Sequence, residues 1–420
     1  MKPKLLTTLS VYSRELFVAD ALAGITVAMV ALPLSIAIAI ASGAPPSAGI
    51  ITAIVGGFLI SALGGSRVQI GGPTGAFIVI VYGVVEQHGY DGLVLATLMA
   101  GVILLVAALL RAGRLIALIP EAVIEGFTIG IAIIIGASQL KDFLGLSIAR
   151  VPADFIPKVE TLWAARGGFS PSALAIGIAA IILIVGFRRL APRLPGLIVA
   201  VALTSAVVLV WALPVDTVVS RYGALHGGMP VPMLPAMSVA KVLELLPSAA
   251  VIAFLAGVES LLSAIVADRM IGGAHRPTAE LLAQGVANIG SALVGGLPAT
   301  GAIARTATNV RAGGRTPVAG IVHALVILVV MQLAAPLAGY LAMPALAGLL
   351  LVTAWNMSEP HRWGHRLKEP LADRLLLFLT LILTVITDLT IAIAVGTVVG
   401  LALRYVRRGD ARTDWTTPDR

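Results

Sequence analysis

The sequence predicts an all-α polytopic membrane protein made of two related halves, and three observations carry that expectation. Hydrophobic residues make up 58% of the 420 positions and charged residues only 12%, with a mean hydropathy of +1.00, far from the composition of a soluble globule. Apolar runs tile nearly the whole length. Finally, Gly71-Gly72-Pro73-Thr74-Gly75-Ala76-Phe77 is echoed by Gly295-Gly296-Leu297-Pro298-Ala299-Thr300-Gly301-Ala302-Ile303. Each is a Gly/Pro break followed by Thr-Gly-Ala, and the two lie in corresponding parts of the halves. Paired interruptions of this kind mark discontinuous helices in inverted-repeat membrane proteins.

Taken in order, the apolar segments run over 20–41, 47–64, 73–87, 91–111, 117–139, 171–187 and 193–213. The second half continues with 244–268, 279–294, 300–312, 315–335, 342–356, 371–387 and 389–405. That is 14 transmembrane segments. The third and tenth are too short to span as full helices. Each is expected to cross only with help from extended chain before it, around 68–72 and 291–299. The freed N–H groups at the start of each half-helix make a place where an anion can be held. Two longer connections, about 140–170 and 214–243, are read as external caps, the second kept extended by Pro230, Pro232 and Pro235. Met1 to Arg14 is basic, but Ala21–Ala41 is long enough to span, so no cleavable signal is expected.

Charge supports this count. With the N-terminus in the cytoplasm and every segment crossing, 22 Lys and Arg residues fall on the inside and 6 on the outside. Dropping one half-helix alone would reverse every later loop and spoil the asymmetry, so both half-helices are expected to cross. The net charge of +8 is spread singly between apolar runs, which fits membrane orientation rather than nucleic acid. The absence of Cys excludes disulfides and thiol chemistry. No P-loop, His-Glu-x-x-His or paired-Asp metal motif is present, so no enzyme chemistry and no cofactor is expected.

Ionisable residues inside the spans are few, so each one matters. Glu259 sits near the middle of the eighth segment, either as a structural hydrogen-bonding group or as a site for a proton or Na⁺. Ser263, one turn on, could add a hydroxyl oxygen. Ser35 precedes Thr74 by 39 positions and Glu259 precedes Thr300 by 41, which makes Pro33-Leu34-Ser35 the counterpart of Glu259. Arg305 follows the start of the tenth segment by about a turn. It either snorkels to the interface, adds its field to the positive helix ends, or pairs with Glu259. Glu121 and Glu125 read as packing or gating contacts, and Asp388 as a solvated turn carboxylate.

The run Gly64-Gly65-Ser66-Arg67-Val68-Gln69-Ile70-Gly71-Gly72-Pro73-Thr74-Gly75-Ala76-Phe77 resembles the signature around the third helix of the SulP family of anion permeases. Asp20–Gly24, Pro45–Gly49, Gly257–Ser263 and Arg305–Thr316 resemble its other motifs, in the expected order along nearly the whole chain. The resemblance implies a 7+7 inverted repeat with a core domain (20–111 and 244–341) moving against a gate domain (112–213 and 342–405). An N-terminus of 1–19, a 214–243 loop and a 406–420 tail complete that organisation. It places the anion near Thr74, Gly75, Ala76 and Phe77 on one side and Thr300, Gly301, Ala302 and Arg305 on the other, with Ser35 adjacent. It makes Glu259 the Na⁺ or H⁺ coupling group and implies a homodimer in a bacterial inner membrane, both termini cytoplasmic. Relatives often carry Gln after the first-helix proline where this chain has Leu34 and Ser35, and no STAS domain follows Arg404.

The expected function is secondary active transport of bicarbonate, sulfate or a dicarboxylate by Na⁺ or H⁺ symport. A nucleobase–proton symporter of the same fold is the alternative, against which Arg305 and the neutral Thr-Gly-Ala start argue. A passive anion channel or exchanger would not need Glu259.

Overall fold

The structure is a computed structural model describing residues 2–113, 120–148, 151–191, 195–225, 227–387 and 389–406. Asp388 and the tail beyond 406 lie outside the described residues. Apolar helices form close to where the hydropathy places them. The first half contains α1 (Arg14–Ala41), α2 (Pro46–Leu63), a helical run Ile78–Leu109, α5 (Glu121–Phe143), α6 (Pro171–Leu190) and α7 (Gly196–Val210). Gly89 breaks the long run into α3 and α4; its φ of 72° and ψ of 179° belong to a region that only glycine adopts readily. The second half contains α8 (Val239–Ile271), α9 (Pro277–Leu293), α10 (Ile303–Arg311), α11 (Val318–Ala338), α12 (Met343–Met357), α13 (Leu371–Ile386) and α14 (Leu389–Val406). Among the described residues, seven helical spans are long and apolar enough to cross a membrane: α1, α2, α3–α4, α5, α6, α8 and α11.

Local chemistry sets the ends. Ser13, Ser170 and Ser238 cap α1, α6 and α8 by accepting from Leu16, Ala173 and Lys241 N–H groups. Gly272, left-handed at φ 68°, closes α8. Several boundaries differ from the sequence expectation, and α1 begins at Arg14 rather than 20, carried by its Ser13 cap. The first turn of α8 begins at Val239 rather than 244, carried by the Ser238 cap. At the other break, α9 remains helical through Leu293, so the extended chain before the second half-helix is shorter than 291–299.

The helices pack in two groups. In one, α9 lies on α4 and α2, α8 on α4, α11 on α1 and α2, and α10 on α8 and α1. In the other, α5 packs on α12 and α13, α6 on α12 and α7, and α13 on α14. Small residues let backbones approach within each group. A Cβ added at Gly49 of α2 would stand 2.0 Å from the Ser35 carbonyl of α1. One added at Gly101 of α4 would stand 2.8 Å from the Gly285 carbonyl of α9.

Ionic contacts secure the connections. Glu125 is buried and pairs with Arg366 at 3.0 Å and Arg362 at 3.1 Å, with Glu121 and Glu359 completing the cluster. It ties the first turns of α5 to the α12–α13 connection. Burial works to lower the pKa of Arg362, but Glu125 and Glu359 hold it above its ordinary value. Asp20 of α1 accepts from the Arg315 and Thr316 N–H groups, the Thr316 hydroxyl and Tyr12. Burial, then the Asp20 charge, pushes the Tyr12 phenol up to about 12, so it remains a donor.

Candidate functional site

The two Gly/Pro breaks pair with each other. Gly71–Gly72 (β1) and Thr300–Gly301 (β2) form an antiparallel bridge with Gly71 opposite Gly301 and Gly72 opposite Thr300. The Ala302 N–H extends the ladder to the Ile70 carbonyl at 2.8 Å. Extended backbone at membrane depth needs every polar group satisfied, and side chains supply what the ladder does not. Asn288 of α9 grips both faces of Ala299, accepting its N–H at 2.9 Å and donating to its carbonyl at 2.8 Å. Thr52 Oγ1 accepts the Leu297 N–H, Asn309 Nδ2 donates to the Val68 carbonyl, and Thr306 Oγ1 accepts the Ile70 N–H. Gly301 is required by the same packing, because a Cβ there would stand 1.6 Å from Gln69 Nε2.

Beyond the ladder the chain turns into helix on both sides. Thr74 precedes a 3₁₀ turn, Gly75–Phe77, that leads into α3, and Ala302 precedes α10. The first N–H groups of a helix have no intrahelical acceptor. Those donors belong to Gly75 and Ala76 on one side and to Ile303, Ala304 and Arg305 on the other, since Ala302 N–H is engaged by Ile70. Gly75 also faces the second helix group: an added Cβ would lie 3.2 Å from Met357 Sδ of α12 and 3.6 Å from Ile135 Cδ1 of α5. Phe77 is buried in the central apolar cluster.

Arg305 is only 2% exposed, so the snorkelling reading fails. Its Nη2 donates to the Pro73 carbonyl at 2.8 Å and to Ser35 Oγ at 3.3 Å, while Nε and Nη1 have no hydrogen-bond partner among the described residues. Gly72 lies against the guanidinium, since a Cβ there would stand 2.4 Å from Nη1. Among the described residues Arg305 forms no ion pair with Glu259. Buried charged donors without acceptors are costly. Here they sit beside two positive helix ends, an arrangement that favours a negative occupant.

The eighth helix fastens to both breaks. Thr74 Oγ1 donates to Glu259 Oε2 at 2.9 Å, and Thr300 Oγ1 donates to the Ala256 carbonyl at 2.9 Å. Ser263 Oγ lies 3.2 Å from Thr306 Oγ1. Among the described residues no group of three His, Cys, Asp or Glu side chains is placed to hold a metal ion.

Several buried polar residues escaped the sequence reading. Glu280 of α9 is fully buried and accepts from the Gly65 and Ser66 N–H groups, Ser260 Oγ and Gln284 Nε2. Gln69 Nε2 donates to Ser260 Oγ at 2.8 Å, so α8, α9 and the first break share one network. His323 of α11 is fully buried with both ring nitrogens unpartnered. The available signal was a set of polar residues in α9 at helical spacing, Glu280, Gln284, Asn288 and Ser291, too polar for lipid and therefore facing protein.

Similarity to known proteins covers almost the whole chain. The profile of the sulfate permease family matches residues 17–380. The candidate sulfate transporter YvdB of Bacillus subtilis is 39% identical over 94% of this chain and 75% of its own. A bicarbonate transporter, BicA of Picosynechococcus, is 30% identical over 94% of this chain and 71% of its own. In structure, the transmembrane domain of a cyanobacterial BicA superposes with a TM-score of 0.81 at 28% identity, covering 93% of this chain and 98% of that domain. SLC26A9 superposes at 0.86 over 96% of this chain and 68% of its own; at 16% identity it speaks to the fold alone.

Proposed function

Because the chain belongs to the sulfate permease family, whose members are transporters and not enzymes, we propose that it is a secondary active carrier of a small anion such as sulfate, bicarbonate or a dicarboxylate. One observation carries this reading: a buried guanidinium with two unsatisfied donors, Arg305 Nε and Nη1, beside the starts of α3 and α10. The anion takes those donors together with the free N–H groups of Gly75, Ala76, Ile303 and Ala304. Ser35 and the Pro73 carbonyl orient the guanidinium through Nη2. Thr74 and Thr300 anchor the two breaks to α8, and Gly301 admits the Gln69 side chain.

Movement follows from the grouping of helices. The α1–α4 and α8–α11 group is the core that carries the anion, and the α5–α7 and α12–α14 group is the gate it slides past, in an elevator-like motion. Glu259 is the coupling group, taking H⁺ or Na⁺. It reports occupancy to the anion site through Thr74, which donates to its carboxylate. The protein works as a multi-pass protein of the bacterial inner membrane with both termini cytoplasmic, as the 22-to-6 distribution of Lys and Arg favours. A homodimer is part of the same reading.

A nucleobase carrier is disfavoured by the unpartnered cationic donors of Arg305, which suit an anion. Uptake by proteoliposomes of labelled sulfate, bicarbonate and fumarate, with and without Na⁺ and a pH gradient, tests the proposal. Saturable, gradient-driven uptake of one of them is expected. Uptake of none, or uptake that ignores both gradients, would overturn it.

A further inference from the structure

The buried imidazole of His323 has no role in the arrangement so far. It lies on α11, fully buried, with both Nδ1 and Nε2 unpartnered. α11 packs on α1 and α2. The ring sits against Gly57 of α2, where an added Cβ would be 3.6 Å from its Nδ1 and Cε1 and 3.1 Å from the Gly71 carbonyl. The next residue, Gly72, is the one that touches Arg305 Nη1. His323 therefore stands just behind the strand that covers the guanidinium, in electrostatic contact with Arg305. Toward the end of α2, Ser61 Oγ, also buried and unpartnered, faces Gly320, one turn before His323.

Few charges face this ring. Neither α2 nor α11 carries an ionisable side chain besides His323 itself. On α1 the ionisable groups Arg14, Glu15 and Asp20 lie in its first two turns, and Asp20 is engaged by Arg315, Thr316 and Tyr12. From β1 comes only the Gly71 carbonyl, and from α10 comes Arg305. The charge balance around the imidazole is thus set by one fixed cation and by whatever occupies the site beside it.

We propose that His323 is a second proton-accepting group of the anion site, one that is neutral when the site is empty and becomes an imidazolium when a dianion binds beside Arg305. This rests on the anion-carrier reading above. Two positive charges behind one strand repel unless a dianion offsets both; a monoanion offsets only Arg305. One proton from solution adds to a free ring nitrogen as the dianion enters, and is released on the side where the dianion leaves. By reciprocity, the factor by which the dianion favours the proton is the factor by which the proton favours the dianion. The site consequently discriminates dianions from monoanions by pH, and a dianion carries its own proton irrespective of Glu259.

The test is sulfate and fumarate binding to the purified full chain between about pH 7.5 and about pH 5.5 for sulfate, and above about pH 6 for fumarate. Wild-type protein should bind sulfate at least about tenfold tighter at the acid end, with a slope approaching one proton. The slope should persist in Glu259→Gln and vanish in His323→Gln. An unchanged slope in His323→Gln overturns the inference. Imidazole ¹⁵N spectra of the wild type provide a readout that needs no variant. One buried histidine should gain a proton on adding sulfate at about pH 6.5, and a ring that stays neutral with sulfate bound overturns the inference as well. Wild-type protein that binds neither dianion at any pH overturns both this inference and the carrier reading beneath it.

Discussion

Replacing Arg305 with alanine removes a cation that, among the described residues, is the only one buried between the two half-helix starts. The guanidinium offers Nε and Nη1 to an occupant and uses Nη2 on Pro73 and Ser35. Hydrogen bonds to a charged partner are worth about 1.5–3 kcal/mol each, and the helix N–H groups and water recover part of that loss. Anion binding should therefore weaken by about 2–4 kcal/mol, or roughly 30- to 900-fold in Kd. The empty protein should behave differently. Because the wild-type site holds an uncompensated buried charge, the variant should melt no lower than wild type despite the Pro73 carbonyl losing its donor. The assay is thermal unfolding in detergent across an anion titration. Wild-type Tm should climb with anion concentration, as a native-state ligand requires, and the variant's should stay flat. Arg305→Lys, which keeps the charge but not the planar fork, should fall between them. An Arg305→Ala protein that shows the wild-type Tm increment would refute the placement of the anion.

Other substitutions separate the roles assigned above. Glu259→Gln keeps an acceptor for Thr74 but loses the ionisable oxygen; anion exchange should survive while accumulation of a monoanion such as bicarbonate driven by a pH or Na⁺ gradient disappears, and full gradient-driven uptake of that monoanion would leave Glu259 structural. Glu280→Ala strands four donors in the α2–α3 and α8–α9 region, so stability should drop by about 3 kcal/mol or more with little change in the Kd of the surviving folded protein; a Tm equal to wild type would contradict the network. Gly301→Val drives a branched side chain into Gln69 and should abolish anion binding through loss of the β1–β2 geometry, which titration calorimetry reads directly. Glu125→Gln halves a buried ion-pair cluster and should cost about 3–5 kcal/mol of stability, measurable as a lower Tm with unaltered anion affinity.

The fold was largely legible because hydropathy acts over whole segments, where small errors cancel. The two breaks were legible as breaks because Gly, Pro and Thr-Gly-Ala repeat in both halves. Their direct pairing was not: Gly71 and Gly301 meet across the two halves, and nothing local to either strand announces its partner. Arg305 and Glu259 stood out as charges in apolar surroundings. Whether Arg305 pointed to water or inward depended on Gly72 and Ser35, which only the assembled fold brings together. Glu280 was missed for a related reason. It falls near the start of α9, where a carboxylate reads as interfacial, and its burial comes from the Gly65–Ser66 turn that folds over it. The Glu125–Arg366 contact joins residues from opposite halves, and sequence periodicity carries no information about such a pair.

The most direct measurement is anomalous diffraction from crystals soaked with a heavy analogue of the best-transported anion, selenate in the case of sulfate. One peak is expected within hydrogen-bonding distance of Arg305 Nε or Nη1 and of the N–H groups that open α3 and α10. The same peak should be missing in Arg305→Ala. A wild-type peak elsewhere, such as the polar cavity lined by Lys141, Asp142 and Arg221, with none beside Arg305, would contradict it.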